Sequence, residues 1–362
     1  MRVAIDVSPL KTGHKFRGIG FYTERLTASL QKLIAVGSKY RDWQIELIEN
    51  WKLKIGNFDL VHYPYFDLFF LTLPIKKHAL AAVTIHDVIP LVFPEHYPKG
   101  LKGWFKFQVQ KFSLKGAAAV ITDSQNSKKD IVKYLGFSKD KIFVVPLAPG
   151  EDFKPLAISH QLLVKTRRKY SLPERFILYV GDVNWNKNIP GLVRACEKIE
   201  IPLVIVGKQA KRQDFDQTHP ENKDLVWLQN KHRSSIINHR SSIILTGFVP
   251  TKDLAAIYNL AAVYCQPSFY EGFGLPVLEA MACGAPVVCS KTSSLPEVAG
   301  GAAIFVDPKD IKSISQGIKH VIENEEVKET FRKKSISRAS QFSWKKTAEK
   351  TIGVYKKILR KQ

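Results

Sequence analysis

The stretch of sequence that decides the fold runs from Pro267 to Pro286 and reads PSFYEGFGLPVLEAMACGAP. A short apolar run, Ala262–Gln266, precedes it and is typical of a buried strand. The loop that follows holds Glu271 and two glycines, and a helix is predicted to begin near Leu275-Pro276, because proline suits the first helical turn. Glu279 lies about one turn into that helix. This order predicts that both glutamates face one cleft beside a helix N-terminus, where backbone amides receive an anion. The alternative is that Glu279 only caps or pairs locally.

The same alternation of short β-branched runs with helical patterns covers the whole chain, which favours an α/β fold with mostly parallel, doubly wound sheets. Turn residues at 147–152 and a polar, basic stretch to residue 168 separate two such runs. We therefore predict domains over 1–155 and 156–340 and a terminal segment over 341–362, in which Trp344–Leu359 has helical spacing. The predicted strands are Arg2–Val7, Trp43–Ile48, Asp59–Tyr63, Ala81–His86, Ala118–Thr122, Ile142–Val145, Phe176–Val180, Leu203–Val206, Ile243–Thr246, Ala262–Gln266, Pro286–Cys289 and Ala302–Val306.

Composition narrows the class of protein. The chain has 362 residues, a formal charge of +22 and an apolar share of 45%, which excludes disorder as the main state. Its four cysteines form no C-x-x-C pair, which excludes a disulfide scaffold and a cysteine-rich zinc site and indicates a reduced compartment. The early Asp6 argues against a signal peptide, and the apolar run Leu68–Ile75 is shorter than the ~20 residues of a membrane span. We expect a soluble or peripheral protein whose basic charge meets a polyanion: nucleic acid, acidic lipid or a phosphorylated substrate.

A glycine turn, RGIGF at 17–21, follows the first predicted strand and opens a helix. Gly18 and Gly20 let the backbone approach a phosphate at the helix N-terminus. The third glycine of the dinucleotide fingerprint is absent, because position 23 is Thr23. The motif therefore favours a phosphate contact, with a bare tight turn as the alternative.

Two further side chains lie at predicted strand ends, where open α/β sheets bind ligands. His86 closes an N-terminal strand and is a candidate to bind a sugar hydroxyl or a phosphate; the alternative is a histidine satisfied by Asp87 or by backbone. Lys187 lies in the loop YVGDVNWNKN at 179–188, just before a helix predicted from Ile189. It is a point charge well placed for a diphosphate, and the alternative is a solvated surface lysine.

The spacing of Glu271 and Glu279 resembles the E-x7-E signature of the retaining nucleotide-sugar glycosyltransferases of family 4. Other motifs fall in the order of that family: GIG after the first strand, HD at 86–87, TDSQNSKKDI over 122–131, VVPLAPG over 144–150 and GFVP over 247–250. The resemblance covers essentially the whole chain. It implies the GT-B fold, in which an acceptor-side Rossmann-like domain faces a nucleotide-sugar-binding one across a cleft and the last helix returns to the first domain.

The resemblance also implies roles for individual residues, in the transfer of a hexose such as mannose or glucose from a nucleoside-diphosphate sugar. Glu279 is expected to bind the donor ribose, and Glu271 is expected to contact hydroxyls of the transferred sugar. His86 is expected to face the sugar ring. The backbone groups expected to line the sugar and phosphates are those of Phe273, Gly274 and Leu275. The diphosphate is expected to be held by Lys187 and by the amides of Gly18, Ile19 and Gly20.

One position departs from the family pattern. Many relatives have arginine just before the lysine of the 179–188 loop, whereas this chain has Asn186. One positive charge is therefore missing from the expected diphosphate clamp. Arg17, beside the glycine turn, is our hypothetical compensating cation and a candidate donor-binding residue.

The expected chemistry is departure of a nucleoside diphosphate from an anomeric carbon, stabilised by fixed donors aimed at the leaving phosphate. No aspartate-rich motif is evident, so we expect metal independence, no cofactor, and front-face attack that retains configuration. The alternatives are another GT-B enzyme, such as a sugar-nucleotide epimerase or a phosphorylase, a dinucleotide-dependent oxidoreductase, or a basic nucleic-acid-binding protein. The last has no helix-turn-helix, zinc or RNA-sheet signature, so we expect no nucleic-acid partner.

The segment 99–115 mixes lysines with tryptophan and phenylalanine, a composition typical of an interfacial helix on anionic lipid. The alternative is an ordinary helix with its aromatic side chains on the sheet and its lysines in water. We expect a nucleotide-sugar donor, a glycan or lipid-linked acceptor and an anionic membrane surface as partners. The expected location is the cytoplasm, peripheral on the inner face of the membrane.

Overall fold

A computed structural model describes residues 1–13, 18–36, 40–49, 57–155, 160–238 and 243–360. The chain divides into two compact units. The first consists of Met1–Ala148 together with Phe342–Gln362, and the second is Pro149–Gln341. Within the described segments, no helix combines the length and the apolar character that crossing a bilayer requires.

The first unit contains a six-stranded parallel sheet in the order β2-β1-β3-β4-β5-β6. Strands β3 and β5 are buried along their whole length, because helices cover parallel sheets on both faces. The strands are β1 Arg2–Asp6, β2 Gln44–Ile48, β3 Leu60–Tyr63, β4 Leu80–Thr84, β5 Ala119–Thr122 and β6 Ile142–Val144. The helices are α1 Gly18–Val36, α2 Ile89–Val92, α3 Gly100–Lys115, α4 Gln125–Asp130, which continues as a π-turn over Ile131–Leu135, and the last helix of the chain, α13 Trp344–Leu359.

The second unit repeats this plan with the strand order β12-β11-β10-β7-β8-β9, again all parallel. Its strands are β7 Ile177–Val180, β8 Leu203–Val206, β9 Ile243–Gly247, β10 Val263–Gln266, β11 Val287–Ser290 and β12 Ile304–Val306. Its helices are α5 His160–Lys169, α6 Ile189–Ile199, α7 Lys223–Asn238, α8 Thr251–Leu260, α9 Leu275–Ala282, α10 Leu295–Ala299, α11 Ile311–Glu323 and α12 Glu325–Ala339. The α/β fold class is confirmed, and each of the twelve predicted strands corresponds to one of these strands.

A buried polar chain fixes α13 within the first unit. Tyr355 on α13 shares a hydrogen bond with Nδ1 of His62 at 2.7 Å, and Nε2 of His62 lies 2.8 Å from Oγ1 of Thr84. The hydroxyl of Tyr22 on α1 also lies 2.9 Å from Oγ1 of Thr84. All four side chains are buried, so each polar group needs the others as partners. Burial lowers the pKa of His62 to about 3, which keeps the ring neutral.

The strand orders locate a switch point in each sheet. In the second unit the chain runs from β7 to β8 and β9 on one side, then crosses to place β10 on the other side of β7. In the first unit the corresponding change of direction lies between β1 and β3. Ligands of doubly wound sheets bind beyond the carboxyl ends of the strands at such points. The loops after β7 and β10 are therefore the place to look for a site in the second unit.

Candidate active site

Lys187 and Glu271 meet at the switch point of the second unit. Lys187 lies in the loop after β7, and Glu271 lies in the loop after the neighbouring strand β10. The Nζ atom of Lys187 is 2.7 Å from Oε2 and 2.9 Å from Oε1 of Glu271. The lysine side chain is 22% exposed and the glutamate side chain only 6%, so water screens this ion pair weakly. The two predicted catalytic residues of this unit are in direct contact, a pairing that the sequence analysis did not foresee.

The carboxylate of Glu271 is held by further donors. Its Oε1 accepts hydrogen bonds from Nε2 of Gln266 at 2.7 Å and from Oγ of Ser268 at 2.6 Å, in addition to the bond from Lys187. A carboxylate offers about four acceptor positions. Three donors bind Oε1, whereas Oε2 accepts from Lys187 alone among the described residues and so retains an acceptor position for a hydroxyl. Held in this way, the group is suited to orienting a bound hydroxyl and poorly suited to moving as a nucleophile.

Glu279 is connected to Glu271 through two tyrosines. On α9, Oε2 of Glu279 accepts a hydrogen bond from the hydroxyl of Tyr258 at 3.1 Å. The ring of Tyr258 packs edge-on against Tyr264 at 5.6 Å, and the Tyr264 hydroxyl donates to Oε1 of Gln266 at 2.6 Å. Burial raises the pKa of Tyr264, and the negative charges of both glutamates add to this rise. The charges of the two carboxylates thus act on the same buried tyrosine.

Helix α9 begins at a glycine that the structure requires. Gly274 is the N-cap residue and has a φ of +103°, a conformation that favours glycine. A Cβ atom at this position would lie 2.5 Å from Cδ2 of Leu295. Pro276 has no N–H and the N–H of Val277 is bonded to the Gly274 carbonyl, so the backbone donors at the immediate start of this helix are the N–H groups of Gly274 and Leu275. Phe273, Gly274 and Leu275 therefore lie at the start of α9, and the expectation that their backbone lines the sugar and phosphates stays a prediction.

Four hydroxyl groups at the end of β11 and directly after it, which we call the hydroxyl cradle (residues 290–294), hold the Glu271 loop by hydrogen bonds. Ser294 donates to the carbonyls of Glu271 at 3.0 Å and Phe273 at 2.9 Å, and Ser293 accepts from the backbone N–H of Glu271 at 2.9 Å. Ser290 and Thr292 donate to carbonyls at the beginning of the loop, 268 and 269, over 2.6 and 3.0 Å. The sequence analysis missed these residues. The signal was the run of four hydroxyl residues in SKTSS, at the end of a strand adjacent to β10.

Asn186 ties the two loops together. Its Nδ2 donates to the carbonyl of Tyr270 at 2.9 Å, and its own carbonyl accepts from the N–H of Phe269 at 2.8 Å. The side chain is buried, with 4% of the residue exposed. The sequence analysis treated this position only as a missing positive charge, whereas the asparagine holds the Lys187 loop against the Glu271 loop. Arg17, the hypothetical compensating cation, lies outside the described residues.

The glycine motif of the first unit opens helix α1 as predicted, with Gly18 as the first helical residue. Gly18 is exposed, Ile19 is half-buried and Gly20 is buried. A Cβ atom built on Gly18 meets no other atom within 4 Å. Packing among the described residues therefore gives no reason for glycine at position 18. Its role toward a phosphate stays a prediction.

His86 lies at the end of β4 and is oriented by Asp123, which follows the adjacent strand β5. Nδ1 of His86 is 2.7 Å from Oδ2 of Asp123. Nε2 of His86 and Oδ1 of Asp123 are buried and have no well-formed hydrogen bond within the described part of the chain, although the backbone carbonyl of Pro64 also favours the protonated ring. Burial acts to lower the pKa of His86, but the charge and hydrogen bond of Asp123 outweigh it, so the pKa is raised. The hydrogen-bond partner is Asp123 and not Asp87, whose Oδ1 accepts from the N–H of Ile89. Asp87 acts on the ring through its charge, and the backbone of Pro64 contributes as well, as the backbone part of the alternative supposed.

The chain has two doubly wound sheets. At the switch point of one of them lie a lysine, a glutamate and a helix whose N-cap is glycine. These features are those of the GT-B nucleotide-sugar transferases. Among the described residues, no three histidines, cysteines, aspartates or glutamates are grouped as metal ligands. Two family models match the chain: Glycosyltransferase Family 4 over residues 21–148, and Glycosyl transferases group 1 over residues 165–338. The chain belongs to the family 4 glycosyltransferases and is a glycosyltransferase.

Individual relatives agree with this assignment. O-antigen chain mannosyltransferase B of Escherichia coli is 33% identical over 285 residues, which cover 76% of this chain and 70% of that protein. The serotype-specific mannosyltransferase WbdA of Escherichia coli is 30% identical over 282 residues, which are 76% of this chain but only 33% of that longer protein. Sucrose-phosphate synthase from Thermosynechococcus elongatus has the same fold, with a TM-score of 0.75, 19% identity and 100% coverage of both chains.

Proposed function

We propose that this enzyme transfers mannose from a nucleoside-diphosphate sugar to a glycan or lipid-linked glycan acceptor, with retention of anomeric configuration. The pairing of Lys187 with Glu271 at the switch point carries the proposal, because it sets a cation for a diphosphate beside an acceptor for sugar hydroxyls. The names of the two Escherichia coli relatives favour mannose over glucose and an O-antigen-type polysaccharide as the product.

Charge develops on the leaving diphosphate as the anomeric carbon becomes oxocarbenium-like. Lys187 and the backbone donors at the start of α9 are the groups we assign to that charge, and removing one such donor typically costs about 3–4 kcal/mol of transition-state stabilisation. They supply the positive charge that a divalent ion supplies in other transferases. We therefore propose that the reaction needs neither a metal nor a cofactor, and that Glu279 binds the donor ribose.

Glu271 orients the sugar and does not attack it in this proposal. Its Oε1 is engaged by Gln266 and Ser268, and both oxygens are engaged by Lys187. A nucleophilic carboxylate would have to leave these partners. Retention then follows from attack by the acceptor on the face that the diphosphate leaves, with the departing phosphate as proton acceptor.

The test is a panel of nucleoside-diphosphate sugars, including GDP-mannose and UDP-glucose, offered with and without a glycan acceptor. We expect release of the nucleoside diphosphate from the mannose donor only when acceptor is present, undiminished by a chelator, and an α-linked product from an α-linked donor. Epimerised donor, or release that depends on inorganic phosphate, would instead indicate an epimerase or a phosphorylase. Activity lost in chelator and restored by magnesium would contradict the metal-independent mechanism.

A further inference from the structure

Exposed large apolar side chains are concentrated on one part of the first unit. Among the described residues, fourteen large hydrophobic side chains are exposed, and seven of them lie in two short segments, 70–75 and 101–112. We call these seven, with the lysines of 99–115, the apolar–basic surface. The seven are Phe70, Leu71, Ile75, Leu101, Trp104, Phe105 and Phe112, with exposed fractions between 50% and 90%. A cluster of this kind on a protein surface marks an interaction site.

The apolar run Leu68–Ile75, too short to span a bilayer, forms an ordered loop. The carboxylate of Asp67 accepts from the backbone N–H groups of Phe69 and Phe70 at 2.7 and 3.0 Å, which shapes the turn. Leu68 and Leu73 point inward and are buried. Phe70 and Leu71, at the tip between them, point outward on a defined backbone.

Helix α3 is bonded to this loop, so the two segments form one surface. Gln110 on α3 donates to the carbonyl of Asp67 at 3.1 Å and to Oγ1 of Thr72 at 2.8 Å, and it accepts from the N–H of Leu73. Lys77 donates to the carbonyl and the hydroxyl of Ser113, each at 2.8 Å. Burial lowers the pKa of Lys77 to about 8, in keeping with a structural role.

The outer face of α3 is apolar, contrary to the ordinary arrangement considered from the sequence. Phe107 alone of its aromatic side chains is buried, and it packs on Phe69 at 6.5 Å. Leu101, Phe105 and Phe112 follow one another at helical spacing on the opposite, exposed face. Apart from Phe107, the aromatic residues of this helix are therefore exposed among the residues that the structure describes.

The charge of the same surface has one sign. Residues 99–115 contain five lysines and no carboxylate. The ammonium group of Lys106 lies 4.9 Å from the ring centre of Phe70, which places a cation directly beside the loop tip. A second copy of the chain would bring lysines against lysines. A surface of exposed aromatic rings set among lysines is complementary to lipid phosphates above acyl chains.

We propose that the apolar–basic surface docks this protein on the surface of a bilayer that contains anionic lipid. The loop tip at 70–71 and the rings of α3 enter the boundary between headgroups and acyl chains, and the lysines bind the lipid phosphates. The sequence predicts membrane contact through segment 99–115 alone. The structure adds the loop at 70–75 as a second contact segment. The docking does not rest on the proposed mannosyl transfer.

Co-sedimentation of the full chain with vesicles tests the proposal. One set of vesicles is pure phosphatidylcholine and the other contains 30% phosphatidylglycerol. We expect binding to the anionic vesicles at least tenfold tighter than to the neutral ones. Two double variants, Phe70→Ser with Leu71→Ser and Lys102→Gln with Lys106→Gln, should each weaken anionic binding about tenfold or more.

The matched controls lie in the second unit. Phe248→Ser removes an equally exposed ring, and Lys252→Gln with Lys312→Gln removes two exposed lysines; both should bind vesicles as the parent chain does. Three results would overturn the proposal. The controls could lose as much vesicle binding as the test variants, or the parent chain could bind neutral and anionic vesicles equally. The test variants could also lose a dimer in sedimentation velocity while still binding vesicles. Turnover on a soluble acceptor should be unchanged in the loop variant, so a failure of transfer and a failure of docking are separately visible.

Discussion

Nζ of Lys187 lies 2.7 Å from Oε2 of Glu271, across two loops that leave adjacent strands of one sheet. We assign this pair a role in the stability of the loop and a role in the reaction. Glu271 is almost completely buried, where a carboxylate without a counter-charge costs folding free energy. Lys187 is partly exposed and so is able to share its charge with a diphosphate. One lysine thus stabilises the loop of Glu271 and is placed to stabilise the leaving group, and substitutions separate these two effects.

Lys187→Met should lower both stability and turnover. Loss of the cation leaves the buried carboxylate of Glu271 unpaired, which typically costs up to about 3–5 kcal/mol of unfolding free energy, with the lower end expected because the lysine is partly exposed. Loss of the leaving-group contact should reduce kcat about 10²–10³-fold. Chemical denaturation and steady-state kinetics measure the two effects.

Adding Glu271→Gln to Lys187→Met provides the control. The neutral amide keeps the shape of Glu271 and removes the unpaired charge, so the double variant should recover most of the lost stability while turnover stays low. Recovery of turnover together with stability would show that Lys187 only supports the fold.

Ser294→Ala should impair catalysis more than its loss of stability explains. The hydroxyl bridges the carbonyls of Glu271 and Phe273, and removing it leaves both without this donor in a buried place, at a cost of about 1–3 kcal/mol. Because the loop that carries Glu271 loosens, kcat should fall at saturating donor. The control is Ser335→Ala, which removes another buried hydroxyl bonded to one carbonyl and should leave kcat unchanged. Equal kinetics for the two variants would remove the hydroxyl cradle from the account of catalysis.

Gly18→Ala tests the glycine motif without disturbing packing. The added methyl group has no neighbour within 4 Å in the described parts of the chain, and alanine is the better helix former, so stability should stay equal or rise by up to about 1 kcal/mol. If the phosphates of the donor approach this backbone closely, KM for the donor should rise at least tenfold. Gly353→Ala, at another helical glycine with open space around its Cα, should leave KM as it was. An unchanged donor KM in Gly18→Ala would reduce the motif to a tight turn.

The sequence predicts all twelve strands because buried parallel strands are short apolar runs, and the glycine and proline signals place the starts of α1 and α9. It does not predict the partners of the site residues. The pairing of His86 with Asp123 depends on which strands lie side by side, and β4 and β5 are separated by helix α3 in the chain. The hydroxyl cradle likewise requires the knowledge that β11 lies next to β10.

Local sequence alone also does not determine the secondary structure of every segment. The six residues HRSSII occur twice, at 232–237 and at 239–244. The first copy is part of helix α7, whereas Ile243 and Ile244 of the second begin strand β9 and pair with Leu203 and Val204. The isoleucine pair thus takes a different structure in each copy, because Ile243 and Ile244 lie beside β8, whose edge accepts their backbone.

His62 should make the first unit sensitive to acid. Burial lowers its pKa to about 3 in the folded protein, against an unfolded value near 6.5, so the unfolded state binds a proton more readily. The stability that this histidine contributes is complete above pH 6.5 and is lost as the pH falls toward 3, by up to about 1.4 kcal/mol per pH unit. His62→Gln should therefore be less stable than the parent at pH 7, with a gap that closes below pH 6. His320→Gln, on an exposed site in α11, should show no such closing, and a gap for His62→Gln that stays constant to pH 4 would contradict the prediction.

His86 should titrate in the opposite direction. Burial alone would lower its pKa, but the charge of Asp123 and the 2.7 Å hydrogen bond raise it above its ordinary value, so the folded state holds the proton more tightly than the unfolded one. The resulting stability is complete below pH 6.5 and is lost as the pH rises through the folded pKa. Asp123→Asn removes the charge and should lower the pKa of His86, measured by NMR titration of the ring nitrogens. Asp87→Asn should lower it less, because Asp87 acts on the ring through its charge alone. An unchanged pKa in Asp123→Asn would mean that Asp123 does not determine the protonation of the ring.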